Sequence, residues 1–146
     1  MPIHSLDQLC QWLQGCRYIA DIDHFGERDV WTHPLDFERG KAGDCEDHAL
    51  WAWRKLLEMD IPAYFVVGLH RNERDETVAH AWVYLTRDER PLVLETTAKR
   101  QLLLPLDQVV KRYFPKYGVT ADLETVRFTI EMHRFREAGR AEGRTT

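Results

Sequence analysis

GDCEDHA, at residues 43–49, is the stretch in which a turn gives way to an amphipathic helix whose first residue is a cysteine. Gly43 permits a tight approach of the backbone, and Asp44 is a residue type that caps helices. Cys45 is therefore expected in the first turn, where unpaired N–H groups and the positive end of the helix dipole favour a thiolate. This layout is typical of a nucleophilic cysteine.

The elements after Cys45 predict an α+β fold. A helix with one apolar face extends to about Met59. Three β-forming runs with short loops between them follow, at residues 63–70, 78–85 and 91–95. The pattern predicts a small antiparallel sheet on which the nucleophile-bearing helix packs.

A histidine and an acid in the predicted sheet could form a catalytic triad with Cys45. His80 lies in the middle run, where period two places it on one face with Trp82 and Tyr84. We expect this face to meet the start of the helix, so that His80 could act as the base. Glu95 ends the third run and could orient the His80 ring.

The predicted chemistry is acyl transfer through a thioester, which requires hydrogen-bond donors to a developing oxyanion. The backbone N–H of Cys45 is one candidate donor. The indole Nε1–H of Trp31 is the second candidate, and it lies in an aperiodic segment at residues 17–42 that could also act as a lid.

Structural roles for the same residues stay open on the sequence alone. Cys45 could be a small buried residue at a helix start, and His80 could be a core histidine. Glu95 could be a strand-end acid paired with Lys99 or Arg100.

Metal binding is a further alternative from the residue types. Cys45, His48 and His80 could hold zinc, although a fourth ligand is not evident. The acids of residues 44–47 could bind calcium, although adjacent acids of this kind are usually a solvated helix start. We assign neither a metal nor a cofactor.

Composition predicts a single domain over residues 1–135 and a disordered tail over 136–146. The net charge of -4 comes from acids and bases spread along the chain and does not indicate nucleic-acid binding. No secretion signal and no run of membrane-spanning length is evident, so we expect a cytoplasmic protein without a membrane partner.

Patterns outside the candidate triad predict further elements. A capping box at Ser5 begins a short N-terminal helix, and Pro34 begins another short helix. The run LDQVVKRYF, at residues 106–114, predicts a helix over one sheet face. Alternation at residues 124–132 predicts a half-exposed strand.

The motifs around the candidate triad resemble the transglutaminase-like superfamily, nearest to the bacterial transglutaminase-like cysteine proteinases. The resemblance rests on GDCED at residues 43–47, HAWV at residues 80–83, WTHPL at residues 31–35 and the strand-end acid Glu95. It implies a papain-like, transglutaminase-core fold and a Cys-His-acid triad at the three residues named above. The family usually has Asp where this chain has Glu95.

The expected function is that of a cysteine hydrolase, a peptidase or amidase that acts on a peptide or protein substrate. The same residues would serve a transglutaminase-type acyl transferase, in which an amine resolves the thioester. The alternative from another class is a non-catalytic peptide-binding module, with Trp31, Trp51 and Trp82 as its surface and Cys45 inert.

Overall fold

A computed structural model describes residues 2–19 and 33–128. Its elements are α1 (Leu6–Gln14), β1 (Arg17–Tyr18), α2 (Pro34–Gly40), β2 (Ala42–Gly43), α3 (Cys45–Glu58), β3 (Ala63–Arg71), β4 (Thr77–Arg87), β5 (Arg90–Leu94), β6 (Leu103–Pro105), α4 (Leu106–Val109), β7 (Tyr113–Val119) and β8 (Thr125–Arg127). The main sheet is antiparallel in the order β6-β5-β4-β3-β7-β8, and β1 pairs with β2 in parallel. This architecture is the predicted α+β class.

Helix α3 packs against one face of the main sheet. It begins at a capping box, in which the Asp44 side chain accepts from the Asp47 N–H and the Asp47 side chain accepts from the Asp44 N–H. Its apolar face and the facing residues of β4 form the larger core, which includes Ala49, Ala52, Trp53, Leu56, Ala81, Val83 and Leu85. Each large apolar side chain in such a core contributes roughly 1.5–3 kcal/mol through burial.

The other side of α3 is held by α1 and α2. The Trp12 ring stacks on Trp51 at a centroid distance of 4.0 Å. Trp51 Nε1–H donates to Glu38 at 3.0 Å, and the ammonium of Lys55 lies 3.3 Å from the same carboxylate oxygen. Because α3 is buried on both sides, the position of Cys45 at its start is fixed by packing.

The opposite face of the sheet carries a second core, and this arrangement corrects a prediction. Trp82 and Tyr84 belong to this second core, together with Val66, Val93, Leu106 and Tyr113. His80 shares their face, and its ring lies 6.1 Å from that of Trp82. The prediction that this face of β4 meets α3 was therefore wrong, because the odd-numbered residues of β4 pack on the helix instead.

The predicted helix over residues 106–114 is only one turn long, and this too is a correction. Helix α4 ends at Val109, and the chain continues as β7, which pairs with β3. Pro115 lies inside β7 at a register shift opposite Gly68. A proline is tolerated in a strand at such an irregularity, because the regular hydrogen-bond ladder is already interrupted there.

The structure tests most of the remaining predictions of helices and strands. The two short helices begin as predicted, with a Ser5 cap on α1 and Pro34 in the first turn of α2. The three-strand meander is confirmed as β3, β4 and β5. The strand predicted at 124–132 is confirmed as β8 for Thr125–Arg127. Glu124 and Phe128 are described but lie outside the strand, whereas residues 129–132 and the predicted tail lie outside the described residues. The domain limits stay a prediction.

Within residues 2–19 and 33–128, no helix is both long enough and apolar enough to cross a lipid bilayer.

Gly68 gives a test of this packing. A Cβ at position 68 would overlap the carbonyl oxygen of Phe114 and lie 2.9 Å from both Pro115 Cα and Trp82 Cη2. Gly68→Ala should lower the free energy of unfolding by about 2 kcal/mol, because backbone atoms of β7 cannot move aside cheaply. Urea denaturation measures this change. Gly40→Ala is the matched control, since a Cβ there meets nothing within 4 Å. Equal stability of the two variants would contradict the described packing.

Candidate active site

His80 and Glu95, two of the three predicted catalytic residues, form a hydrogen-bonded pair. His80 Nε2 lies 2.8 Å from Glu95 Oε1 and 3.0 Å from Oε2. The Glu95 carboxylate also accepts from the hydroxyl of Tyr113 at 2.8 Å and from that of Thr97 at 2.9 Å. Because a carboxylate only accepts, Nε2 of His80 carries the proton of this contact, and Nδ1 is the nitrogen that can act as a base.

The electrostatics of Glu95 favour its charged form. Burial raises the pKa of this carboxyl, but hydrogen bonds from His80, Tyr113 and Thr97, with the charge of His80, lower it to about 2. Glu95 is therefore a carboxylate near neutral pH. A buried, fully hydrogen-bonded carboxylate can both orient the His80 ring and stabilise its protonated form.

Cys45 reaches the same region from the other side of the sheet. The pairing of β4 with β5 ends at Val83 and Leu94, so β4 extends beyond its neighbour. Ala81 lies in that extension, and its backbone is close enough to the sulfur of Cys45 to lower the pKa of the thiol. The start of α3 therefore lies where β5 has left β4, next to the residue that follows His80.

The surroundings of Cys45 favour the neutral thiol. Cys45 is buried, and its sulfur lies 3.6 Å from Glu46 Oε2. Burial, the charges of Glu46 and Asp44, and the hydrogen bond to Glu46 raise the pKa of the Cys45 thiol, while the hydrogen bond from Ala81 lowers it. The expectation of a resting thiolate was therefore wrong, because desolvation and two acids outweigh the helix start.

The close approach predicted at Gly43 is present. A Cβ at position 43 would lie 2.5 Å from Asp47 Oδ2 and 2.8 Å from the Asp47 Cβ, so a larger residue would displace the capping box that begins α3. Trp31, the predicted oxyanion donor, lies outside the described residues. Trp51 and Trp82 are both buried, which corrects the idea that they form an exposed peptide-binding surface.

Three residues near the pair were missed by sequence reasoning. Tyr113 was missed because residues 106–114 were predicted as a helix. Thr97 lies in a turn after β5, where no pattern marks it. His70 stacks on His80 at 5.1 Å and on Tyr113 at 4.4 Å. Its place in the first β-forming run, on a strand adjacent to that of His80, was a usable signal.

Among the described residues, one group has ligand atoms close enough together to hold a metal ion, and it is not the group predicted from the sequence. Ligand atoms of His70, His80 and Glu95 lie within 4.8 Å of one another. His80 Nε2 and both Glu95 oxygens already make hydrogen bonds, so a cation there would compete with the pair. His48 of the alternative zinc group is buried, and its Nδ1 lies 2.7 Å from the carbonyl oxygen of Asp44.

The pair opens onto a cleft of about 840 Å³. His80, Glu95 and His70 lie on its wall, together with Tyr18 and Val78. A cleft of this size can accommodate a stretch of polypeptide. The cleft lining includes His80 and Glu95 but not Cys45, which is buried at the start of α3.

This fold and geometry define a papain-like α+β domain of the transglutaminase-core type. The sequence model of the CEP76 peptidase-like domain matches residues 29–115, more than half of the chain. The chain therefore belongs to the CEP76 peptidase-like domain family, within the transglutaminase-like superfamily. Comparison with curated proteins gives no match.

Solved structures of LapG from Legionella pneumophila have a similar fold; LapG is a transglutaminase-like cysteine protease. LapG and its EGTA-treated form each match at 21% identity and a TM-score of 0.60, over 80% of this chain and 62% of theirs. Calcium-bound LapG matches at 17% identity and a TM-score of 0.60, over 94% of this chain and 78% of its own. The chain thus spans about 62% of the LapG structures that match at the higher identity.

The position of Glu46 predicts the reactivity of Cys45. Glu46→Gln removes a negative charge beside the sulfur, so the pH at which iodoacetamide alkylates Cys45 half-maximally should move down by about one unit. Peptide mass spectrometry across a pH series measures this shift. Glu58→Gln, at the other end of α3, should leave the profile unchanged. An unchanged profile in Glu46→Gln would show that Glu46 does not act on the thiol.

The lowered pKa of Glu95 predicts how stability depends on pH. Because its folded-state pKa of about 2 lies below its ordinary value of 4.5, charged Glu95 stabilises the fold above pH 4.5 and loses this effect as the pH falls towards 2. The loss should be on the order of 3 kcal/mol. Urea denaturation of Glu95→Gln should show a correspondingly weaker pH dependence in that window. Asp122→Asn, an exposed acid, should keep the parent's dependence.

Proposed function

We propose that this domain is a cysteine peptidase or amidase in which Cys45 attacks a peptide or amide carbonyl. His80 is the base, and Glu95 orients it. The observation that carries the proposal is the contact of His80 Nε2 with a buried, charged carboxylate, which leaves Nδ1 as the acceptor. Membership of a peptidase-like family and the fold shared with LapG support it.

The proposed mechanism begins from a neutral thiol. As the sulfur of Cys45 bonds to the carbonyl carbon, Nδ1 of His80 accepts the thiol proton, and Glu95 stabilises the imidazolium. The backbone N–H of Cys45 donates to the oxyanion, with Trp31 as the second proposed donor. His80 then returns the proton to the leaving amine, and a thioester remains.

Water completes the proposed cycle. His80 accepts a proton from a water molecule as that water attacks the thioester carbon, and the proton passes to the sulfur when the C–S bond breaks. In a transferase, an amine would replace the water with the same proton transfers. We further propose that the substrate is a peptide or protein and that the domain acts in the cytoplasm.

One observation favours a second candidate, a non-catalytic peptide-binding module. Burial and Glu46 raise the pKa of the Cys45 thiol, as in a structural cysteine. In such a module the cleft beside His80 would bind a peptide that is never cleaved. The two candidates differ in what removal of the sulfur does.

The deciding experiment measures kcat/KM on a library of internally quenched peptides for the parent, three variants of the site and one control variant. Cys45→Ala should abolish cleavage, and His80→Ala should lower kcat/KM by at least about 100-fold, because general-base transfer is lost. Glu95→Gln should lower kcat more than it changes KM. Cys10→Ala is the control. It removes a thiol on α1 and should leave full activity.

The other outcomes separate the candidates. Cleavage that persists in Cys45→Ala would exclude the proposed nucleophile. Absence of cleavage, with peptide binding unchanged in Cys45→Ala, would favour the binding module. A rate that rises with an added primary amine, with the amine incorporated into the product, would assign the same residues to a transferase.

A further inference from the structure

The cleft beside His80 has a basic wall on a protein whose net charge is negative. Four cationic residues line it, namely Arg74, Lys99, Arg100 and Arg112. Among the described residues of this lining, the acids are Glu73 and Glu95, and Glu95 is already bonded to His80, Tyr113 and Thr97. The chain as a whole has a formal charge of -4. The excess of positive charge is therefore a local property of this cleft.

The segment that carries Lys99 and Arg100 is anchored to the N-terminal part of the chain. Gln14 Nε2 donates to the carbonyl oxygens of Lys99, at 3.3 Å, and of Arg100, at 3.1 Å. The Lys99 ammonium donates to the carbonyl oxygen of Cys16. Lys99 is thus occupied in holding the segment, whereas the Arg100 side chain is exposed on a backbone that these contacts fix.

Arg112 lies on the other side of the candidate pair. It is half-buried, and its Nη2 donates to the carbonyl oxygen of Asn72 at 2.6 Å. A guanidinium has five N–H donors, so this single contact leaves capacity for a carboxylate. Its charge also acts on His70 and Tyr113, which both contact the pair. Arg112 is therefore close to the place where the proposed chemistry occurs.

The chemistry of this wall indicates one class of ligand. Arginine forms paired hydrogen bonds with carboxylates, and a cleft with cations of one sign attracts an oppositely charged partner. Apolar side chains in the same lining, among them Val78, Leu104 and Val109, can contact the rest of a peptide. We infer that the cleft selects polypeptide segments with a glutamate or aspartate close to the scissile bond, an inference that rests on the proposed function.

The test compares cleavage of two internally quenched peptide libraries that differ only in Glu or Gln at each position flanking the central bond. The parent should cleave the Glu library with kcat/KM about tenfold higher at low salt, as expected for one charge-assisted pair. Added salt should reduce the difference. Equal kcat/KM for the two libraries would overturn the inference.

Variants of the two arginines sharpen the test. Arg100→Glu should remove or reverse the preference for the Glu library, and Arg112→Gln should weaken it, whereas Arg112→Lys keeps the charge and should retain most of it. Arg90→Gln is the matched control, because Arg90 is an exposed arginine at the far end of the β4–β5 hairpin. An equal loss in Arg90→Gln would show a general effect of net charge and overturn the inference.

A binding measurement keeps this inference separate from the proposed catalysis. Fluorescence anisotropy of the labelled Glu and Gln libraries with Cys45→Ala requires no cleavage. Tighter binding of the Glu library, lost in Cys45→Ala/Arg100→Glu, supports the basic cleft even if the parent cleaves nothing. Equal binding of both libraries by Cys45→Ala overturns it even if the parent proves to be a peptidase.

Discussion

The point at which β5 leaves β4 is the constraint on which the candidate site depends. Helix α3 packs on one face of the sheet, and His80 lies on the other, so a continuous sheet would separate Cys45 from the histidine. Because the β4–β5 pairing stops at Leu94, the part of β4 that contains Ala81 has no β5 residue beside it, and its backbone comes close to the Cys45 sulfur. The same divergence lets Glu95, the next residue after β5, turn onto the His80 ring.

Glu95 and Cys45 are both buried, yet the carboxyl of Glu95 is charged whereas the thiol of Cys45 is neutral. Glu95 receives hydrogen bonds from three side chains, and these offset the cost of removing its charge from water. Around Cys45, burial and the charges of Glu46 and Asp44 raise the pKa of the thiol more than the Ala81 backbone lowers it, so the proton is retained. The resting negative charge therefore lies on the carboxylate. A nucleophilic sulfur here would arise only as its proton moves to the histidine.

Local patterns predicted the elements well, but not the contacts that depend on distant parts of the chain. The caps of α1 and α3 and the strands of the meander are determined by residues that are close together in the sequence. The contact of His80 with Glu95 likewise follows from the single β4–β5 hairpin. Which face of β4 receives α3 is decided by side-chain volumes from the whole core, so alternation alone could not choose it. Tyr113 was missed because its pairing with β3 is long-range and overrode the helical pattern of residues 106–114.

The long-range contact of Tyr113 with Glu95 compensates for the greater flexibility of a glutamate at position 95. Compared with the usual aspartate, Glu95 has one more rotatable bond, and holding its carboxylate in one position costs additional side-chain entropy. Hydrogen bonds from Tyr113 on β7 and Thr97 after β5 fix both oxygens while His80 contacts the same group. Because Tyr113 also stacks on His70, which stacks on His80, the tyrosine holds Glu95 and His80 in one cluster. Glu95 and Tyr113 therefore act as one unit. The extra methylene of Glu95 adds side-chain freedom, and the hydrogen bond from Tyr113 on strand β7 restricts it.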